Sequence, residues 1–189
     1  VLIVSSRNYY EIFLDLLEKG EGLTTLDQRK SFALRAFHIS SHYDTVIFNY
    51  MNRSGELPVY KVSYDQRKFL RYGENPHQAG IFYGDLQNYF DQLGGKDISY
   101  NNLIDVEAAV QIIAEFEDEL AFGILKHNNA CGFAIDSNVK AAYLKAYQAD
   151  STSAFGGVLV CNREVDLSAA HEIHKLFFEI IIAPCYAQE

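Results

Sequence analysis

Residues 120–132 read LAFGILKHNNACG, and the fold turns on how this stretch is divided. Leu120–Leu125 is short, apolar and free of charge, as a buried strand is. Lys126 and His127 then stand side by side where that strand runs out, followed by the small polar residues Asn128, Asn129 and Gly132. Neighbouring residues of a strand point to opposite faces, so the ammonium and the imidazole reach one ligand only if the chain turns here. An imidazole titrates near neutrality and suits a general base, and an adjacent ammonium can stabilise developing negative charge. A solvated Lys beside a His bonded to loop carbonyls would leave the same trace in a sequence.

Working outward, helices and apolar strands alternate. Leu103–Phe116 carries Val106, Val110 and Ile113 on one side and is predicted helical. Val139–Tyr147 and Ser168–Phe178 are predicted helices, Val158–Cys161 a strand, and Ile180–Ile182 lies in a last apolar strand. This alternation predicts an α/β layer structure, whose ligands gather at the carboxyl ends of strands. Upstream, Val1–Val4 (VLIV) is predicted to be a buried strand. Ile12, Leu16 and Leu17 mark a helix stopped at Gly20, and Thr24 or Thr25 caps another, whose helical stripe runs through residues 24–44. A separate helix is expected over Tyr43–Tyr50. The polar, breaker-rich stretch Asn52–Pro58 is the natural boundary, and beyond it VYKVSYDQRKFLRYG and GIFYG read as extended.

Composition narrows the function. With 49% hydrophobic and 22% charged residues among 189, the chain can bury a core, and disorder is not expected. A net charge of −9 argues against a nucleic-acid surface. The apolar run Ile180–Pro184 is too short to cross a bilayer. The three cysteines are widely spaced and form no C-x-x-C pair, so they read as reduced thiols of a cytoplasmic protein. The chain opens in VLIV without an initiator Met and reads as an internal stretch of a longer protein.

Two further stretches can carry chemistry. In Arg71–Gln78 (RYGENPHQ), the Arg71 fork can grip a phosphate or carboxylate and Tyr72 can stack on a heterocycle; an elaborate turn would read the same way. In Ser151–Gly157 (STSAFGG), the glycines let a ligand approach bare backbone amides. A zinc deaminase reading fails, because that chemistry needs H-x-E and P-C-x-x-C, whereas His127 is followed by Asn128 and Asn129 and Cys131 has no partner nearby. His171 and His174 share a helix spacing, but a solvated helix face explains them, and no metal is expected.

Taken together, LRYGENPHQ, GKDISYNNL, LKHNNACG, SAFGG and EIIIAP occur in one order. This closely resembles the bifunctional purine-biosynthesis family that combines AICAR transformylase with IMP cyclohydrolase. The similarity runs along the whole chain yet covers a minority of the family's length. It implies that residues 1–57 are the C-terminal end of the cyclohydrolase domain with its connecting helices. Residues 58–189 would be the N-terminal part of a transformylase domain whose subdomains resemble the cytidine deaminase fold. The implied reaction is formyl transfer from the cosubstrate 10-formyltetrahydrofolate to the 5-amino group of AICAR, with the parent protein also cyclising the product to IMP. The family's base matches His127 and its charge-stabilising Lys matches Lys126. Its nucleotide contacts match Arg71, Tyr72, Asn102, His127, Gly156 and Glu179. A homodimer is implied. The family's loop commonly reads K-H-x-N-P-C-G, whereas Ala130 stands here in place of Pro. The cyclohydrolase catalytic residues are expected upstream and the folate-binding half downstream, so a nucleotide-binding chain without turnover is the alternative.

Overall fold

A four-stranded mixed sheet with helices on both faces carries Lys126 and Glu179 on its strands. The structure is a computed structural model describing residues 1–188. It divides into two compact units after Arg67, with Tyr83–Asp85 joining the first.

In the first unit, α1 (Tyr10–Lys19) ends at Gly20, and α2 (Leu26–Met51) begins at a capping box between Thr25 and Gln28. Two helices are predicted over residues 26–50, but one continuous helix forms. No Gly or Pro interrupts it, and its hydroxyls are absorbed by its own backbone: Ser41 donates to the His38 carbonyl and Thr45 to that of Ser41. Phe13 and Phe32 meet edge-to-face at 5.9 Å, and Phe32 is the residue this packing buries. Val1–Val4 is not a strand. A strand needs a partner edge, none among the described residues pairs with it, and Val1 and Ile3 stay exposed. The segment after α2 returns along the same helix. The Asn52 amide brackets both the N–H and the C=O of Leu57, the Asn49 amide donates to the Lys61 carbonyl, and His42 meets Ser63 and Asp65.

β1 (Arg67–Phe69) and β2 (Ile81–Tyr83), whose residues Arg67 and Tyr83 count with the first unit, form a short ribbon around the turn-rich segment predicted between them; the remaining elements belong to the second unit. After α3 (Tyr100–Ala114) come β3 (Ala121–Lys126), β4 (Asn129–Ile135), α4 (Val139–Ala149), β5 (Gly157–Cys161), α5 (Leu167–Ile173) and β6 (Phe178–Ile182). The sheet order is β4-β3-β5-β6, antiparallel except for the β5–β6 pair joined through α5. The molecule is thus mixed α/β. The period of two is legible in the packing. Leu125, Val158 and Val160 meet Val106 and Ala109 of α3, while Phe122, Ile124 and Leu159 meet Ala142, Tyr143 and Ala146 of α4 on the other face. β3 and β5 are buried over nearly their full length, which explains why they read as unbroken apolar runs.

Three expectations are corrected here. Residues 129–135 are a strand, although NNACG has loop composition, because pairing with β3 supplies the partner that propensity alone does not. The Lys126 end is also not a shared carboxyl end of the strands. At the Lys126 end only β3 terminates, while β4, β5 and β6 all begin there. The helix predicted over Ser168–Phe178 stops at Ile173, where Lys175 and Leu176 tighten into bonds to Glu172 and Ile173 and release the chain into β6.

Candidate functional site

Lys126 pairs with Asn129, so the β3–β4 connection is a two-residue hairpin turn made of His127 and Asn128. Both have positive φ, 53° and 64°. A tight hairpin of this kind requires left-handed backbone at both central positions, a conformation uncommon for non-glycine residues, though Asn and His adopt it more often than most. Two bonds fix the turn. The Asn128 N–H donates to Oδ1 of Asp105 on α3 at 2.7 Å, and the Asn129 side-chain amide donates to the His127 carbonyl at 2.9 Å. The imidazole is left exposed at the tip. Lys126 folds across the mouth of β5, its Nζ donating to the Phe155 carbonyl at 2.8 Å. The chain does turn after β3, and Lys126 and His127 line a single open cavity of about 370 Å³ with Asn129, Ala130, Cys131 and Ser153. Ala130 lies in β4 opposite Leu125, so strand pairing sets its backbone in place of a pyrrolidine ring.

Cys131 is an unremarked member of that lining. Its thiol points at the Ile124 carbonyl 3.4 Å away, and burial pushes its pKa up, so it is a poor nucleophile at neutral pH.

Arg71 and its neighbours form a second group. The Arg71 N–H donates to the Ile98 carbonyl, and the Tyr72 carbonyl accepts from the Tyr100 N–H, which ties this pair to the start of α3. The Arg71 guanidinium lies 3.2 Å from the Tyr72 hydroxyl, 3.5 Å from Asn102 Oδ1 and 4.0 Å from the Glu179 carboxylate, with Cζ 4.9 Å from the Tyr72 ring centre. Asn102 Oδ1 also accepts from the backbone N–H and hydroxyl of Ser99, closing the capping box of α3. Gly156 has φ 71°, which calls for glycine, and its N–H donates to the Phe177 carbonyl two residues before Glu179.

Both groups occupy the same end of the sheet, connected twice. Along the strand ends, Lys126 reaches Phe155, Gly156 reaches Phe177, and Glu179 reaches Arg71. Along α3, Asn102 faces Arg71, and Asp105 one turn later holds the hairpin. Arg71, Tyr72, Asn102, Gly156 and Glu179 do not line the Lys126–His127 cavity itself. The sequence reading missed Asp105. Its signal was the three-residue step from Asn102, which puts both on one helix face. Among the described residues no group of three His, Cys, Asp or Glu is placed to hold a metal, and no helix is long and apolar enough to cross a membrane.

The AICARFT/IMPCHase bienzyme family model matches residues 1–189. The chain belongs to this family. It is 52% identical over 186 residues to the bifunctional purine biosynthesis protein PurH of Bacteroides thetaiotaomicron, covering 98% of the chain and 36% of that relative. The PurH proteins of Listeria monocytogenes serovar 1/2a and Bacillus cytotoxicus are 41% and 38% identical, each match covering all of this chain and 38% of the relative. The chain thus spans little more than a third of these family members.

Proposed function

We propose that the full-length protein transfers the formyl group of 10-formyltetrahydrofolate to the 5-amino group of AICAR and cyclises the product to IMP. Within this reading the present chain carries the base and the charge stabiliser of the transformylase. The observation that supports it most is the shared cavity of Lys126 and His127, reached through the left-handed turn.

The chemistry asks for both groups. The AICAR amine is conjugated with its ring and carboxamide and is a weak nucleophile. As its nitrogen bonds to the formyl carbon, His127 takes the N–H proton. Negative charge gathers on the formyl oxygen, where the Lys126 ammonium stabilises it, and the folate nitrogen leaves with the bonding pair and receives the proton that the His127 imidazolium holds. Arg71, Tyr72, Asn102, Gly156 and Glu179 form the nucleotide side, with the guanidinium as the anion contact and the Tyr72 ring as a stacking surface. The finer architecture belongs to the same reading: residues 1–57 as the end of a cyclohydrolase domain, residues 58–189 as the start of a cytidine-deaminase-like transformylase. So do a cytoplasmic homodimer and the absence of nucleic-acid partners.

In the full-length enzyme, His127→Ala lowers kcat for formyl transfer about 10²–10⁴-fold, the usual worth of a general base. Near-normal turnover removes His127 from that role.

One observation favours a second reading for the chain taken alone: the cavity is open and Arg71 lies outside it. That arrangement suits nucleotide binding without turnover. Calorimetry with AICAR on this chain and on Arg71→Ala separates the two, since absence of heat from both counts against a preformed pocket.

A further inference from the structure

We infer that Asp105 is a positioning residue for His127, acting through the backbone of the hairpin turn. The inference rests on the proposed role of His127 as base.

The argument starts from an unfavourable conformation. His127 and Asn128 are consecutive non-glycine residues with φ of 53° and 64°, a pairing that L-residues avoid because Cβ crowds the backbone. Such a turn persists only where its surroundings over-determine it. The Asn128 N–H, freed by the turn, points out of the hairpin and is taken by the Asp105 carboxylate at 2.7 Å, a charge-assisted bond. This contact crosses from the middle of α3 to a loop 23 residues later in the chain. Asp105 sits on a half-buried face of α3, one turn beyond Asn102, and Val106 next to it is packed in the core. The anchor is therefore part of a rigid helix clamped to the sheet. The direction of the imidazole follows from φ at its own residue, so relaxing the turn toward a right-handed conformation would swing the ring away from the cavity it lines with Lys126.

Two features separate this role from simple loop stability. Asp105 acts on the turn, so glycine at position 128, which takes left-handed backbone freely, replaces the need for the anchor. Asp105 also acts through His127, so its removal costs nothing once the imidazole is gone.

The test is steady-state formyl transfer by the full-length enzyme. Asp105→Ala is expected to lower kcat about 10–100-fold, the scale of an ångström of misplacement, with the AICAR KM changed less than about threefold. Asp105→Asn, whose amide oxygen still accepts the Asn128 N–H, retains most of the turnover. Adding Asn128→Gly to Asp105→Ala restores kcat, and adding Asp105→Ala to His127→Ala causes no further loss. If Asp105→Ala fails to fold, the Asp105→Ala/Asn128→Gly pair carries the measurement, because the glycine relieves the strain. A parental kcat for Asp105→Ala, an additive loss on top of His127→Ala, or no restoration by Asn128→Gly overturns the inference. Should His127→Ala itself turn over normally, the assignment of the base falls instead, and the two failures are told apart in one set of assays.

Discussion

The two clusters at the Lys126 end of the sheet are built by opposite means. The His127 turn is fixed by backbone: a paired strand on each side, two left-handed residues, and N–H and C=O groups bonded to Asp105 and Asn129. The Arg71 group has its backbone tied at Ile98 and Tyr100, but its guanidinium meets the neighbouring side chains only through exposed tips 3.2 Å to 4.0 Å away. Contacts of the second kind are worth little in stability, about 0–1 kcal/mol for an exposed ion pair. A catalytic group needs its direction settled before the substrate arrives, whereas a binding group can close on its ligand. The arrangement suits a preformed chemical end and an adaptable recognition end.

The largest break in that comparison is at Gly132, which carries no functional group. A Cβ there would overlap the Ala146 carbonyl oxygen of α4, a backbone atom that cannot step aside. Gly132→Ala is expected to cost upwards of about 3 kcal/mol, the severe end of overpacking, and to unravel the hairpin with the domain. Urea unfolding monitored by circular dichroism measures it, and an unchanged midpoint would mean β4 and α4 do not pack as closely as described.

Arg71 should behave the other way. Arg71→Ala is expected to leave the melting temperature within a degree or two, since its contacts are exposed. It should raise the AICAR KM about 10–100-fold, the worth of a hydrogen bond to a charged partner. Arg71→Lys recovers part of this as a point charge without the fork. Equal damage to kcat from Arg71→Ala and His127→Ala would erase the division of labour.

The smallest effect concerns Cys131, which sharpens the reading of the hairpin cavity as a base site. Burial raises its thiol pKa, so it remains protonated at neutral pH and reacts slowly. Cys185 is exposed and Cys161 buried, its pKa raised by the same cause. Iodoacetamide labelling followed by mass spectrometry should modify Cys185 first, Cys131 later and Cys161 last. Fast labelling of Cys131 would instead make it a nucleophile beside the base His127.

Much of this was legible because the signals are local. The unbroken apolar runs of β3 and β5, Val106 and Ile113 on α3 and the cap at Thr25 are each encoded within a few neighbouring residues. So are the ordered motifs that carry the family resemblance. What failed was non-local: VLIV has strand composition but no partner, NNACG has loop composition but acquires one, and the residues around Ser41 carry helix-weakening hydroxyls that the helix absorbs.

The sequence by itself determined the period of each element and which residue types stand next to one another, Lys126 beside His127 above all. Only the tertiary structure decided that the strand after them folds back, that His127 takes a left-handed backbone, and that Asp105 from a helix earlier in the chain holds it there. The reason is physical. Periodicity and capping are written in neighbours, whereas strand partners and positive φ are set by contacts whose free energy comes from residues far away in the chain.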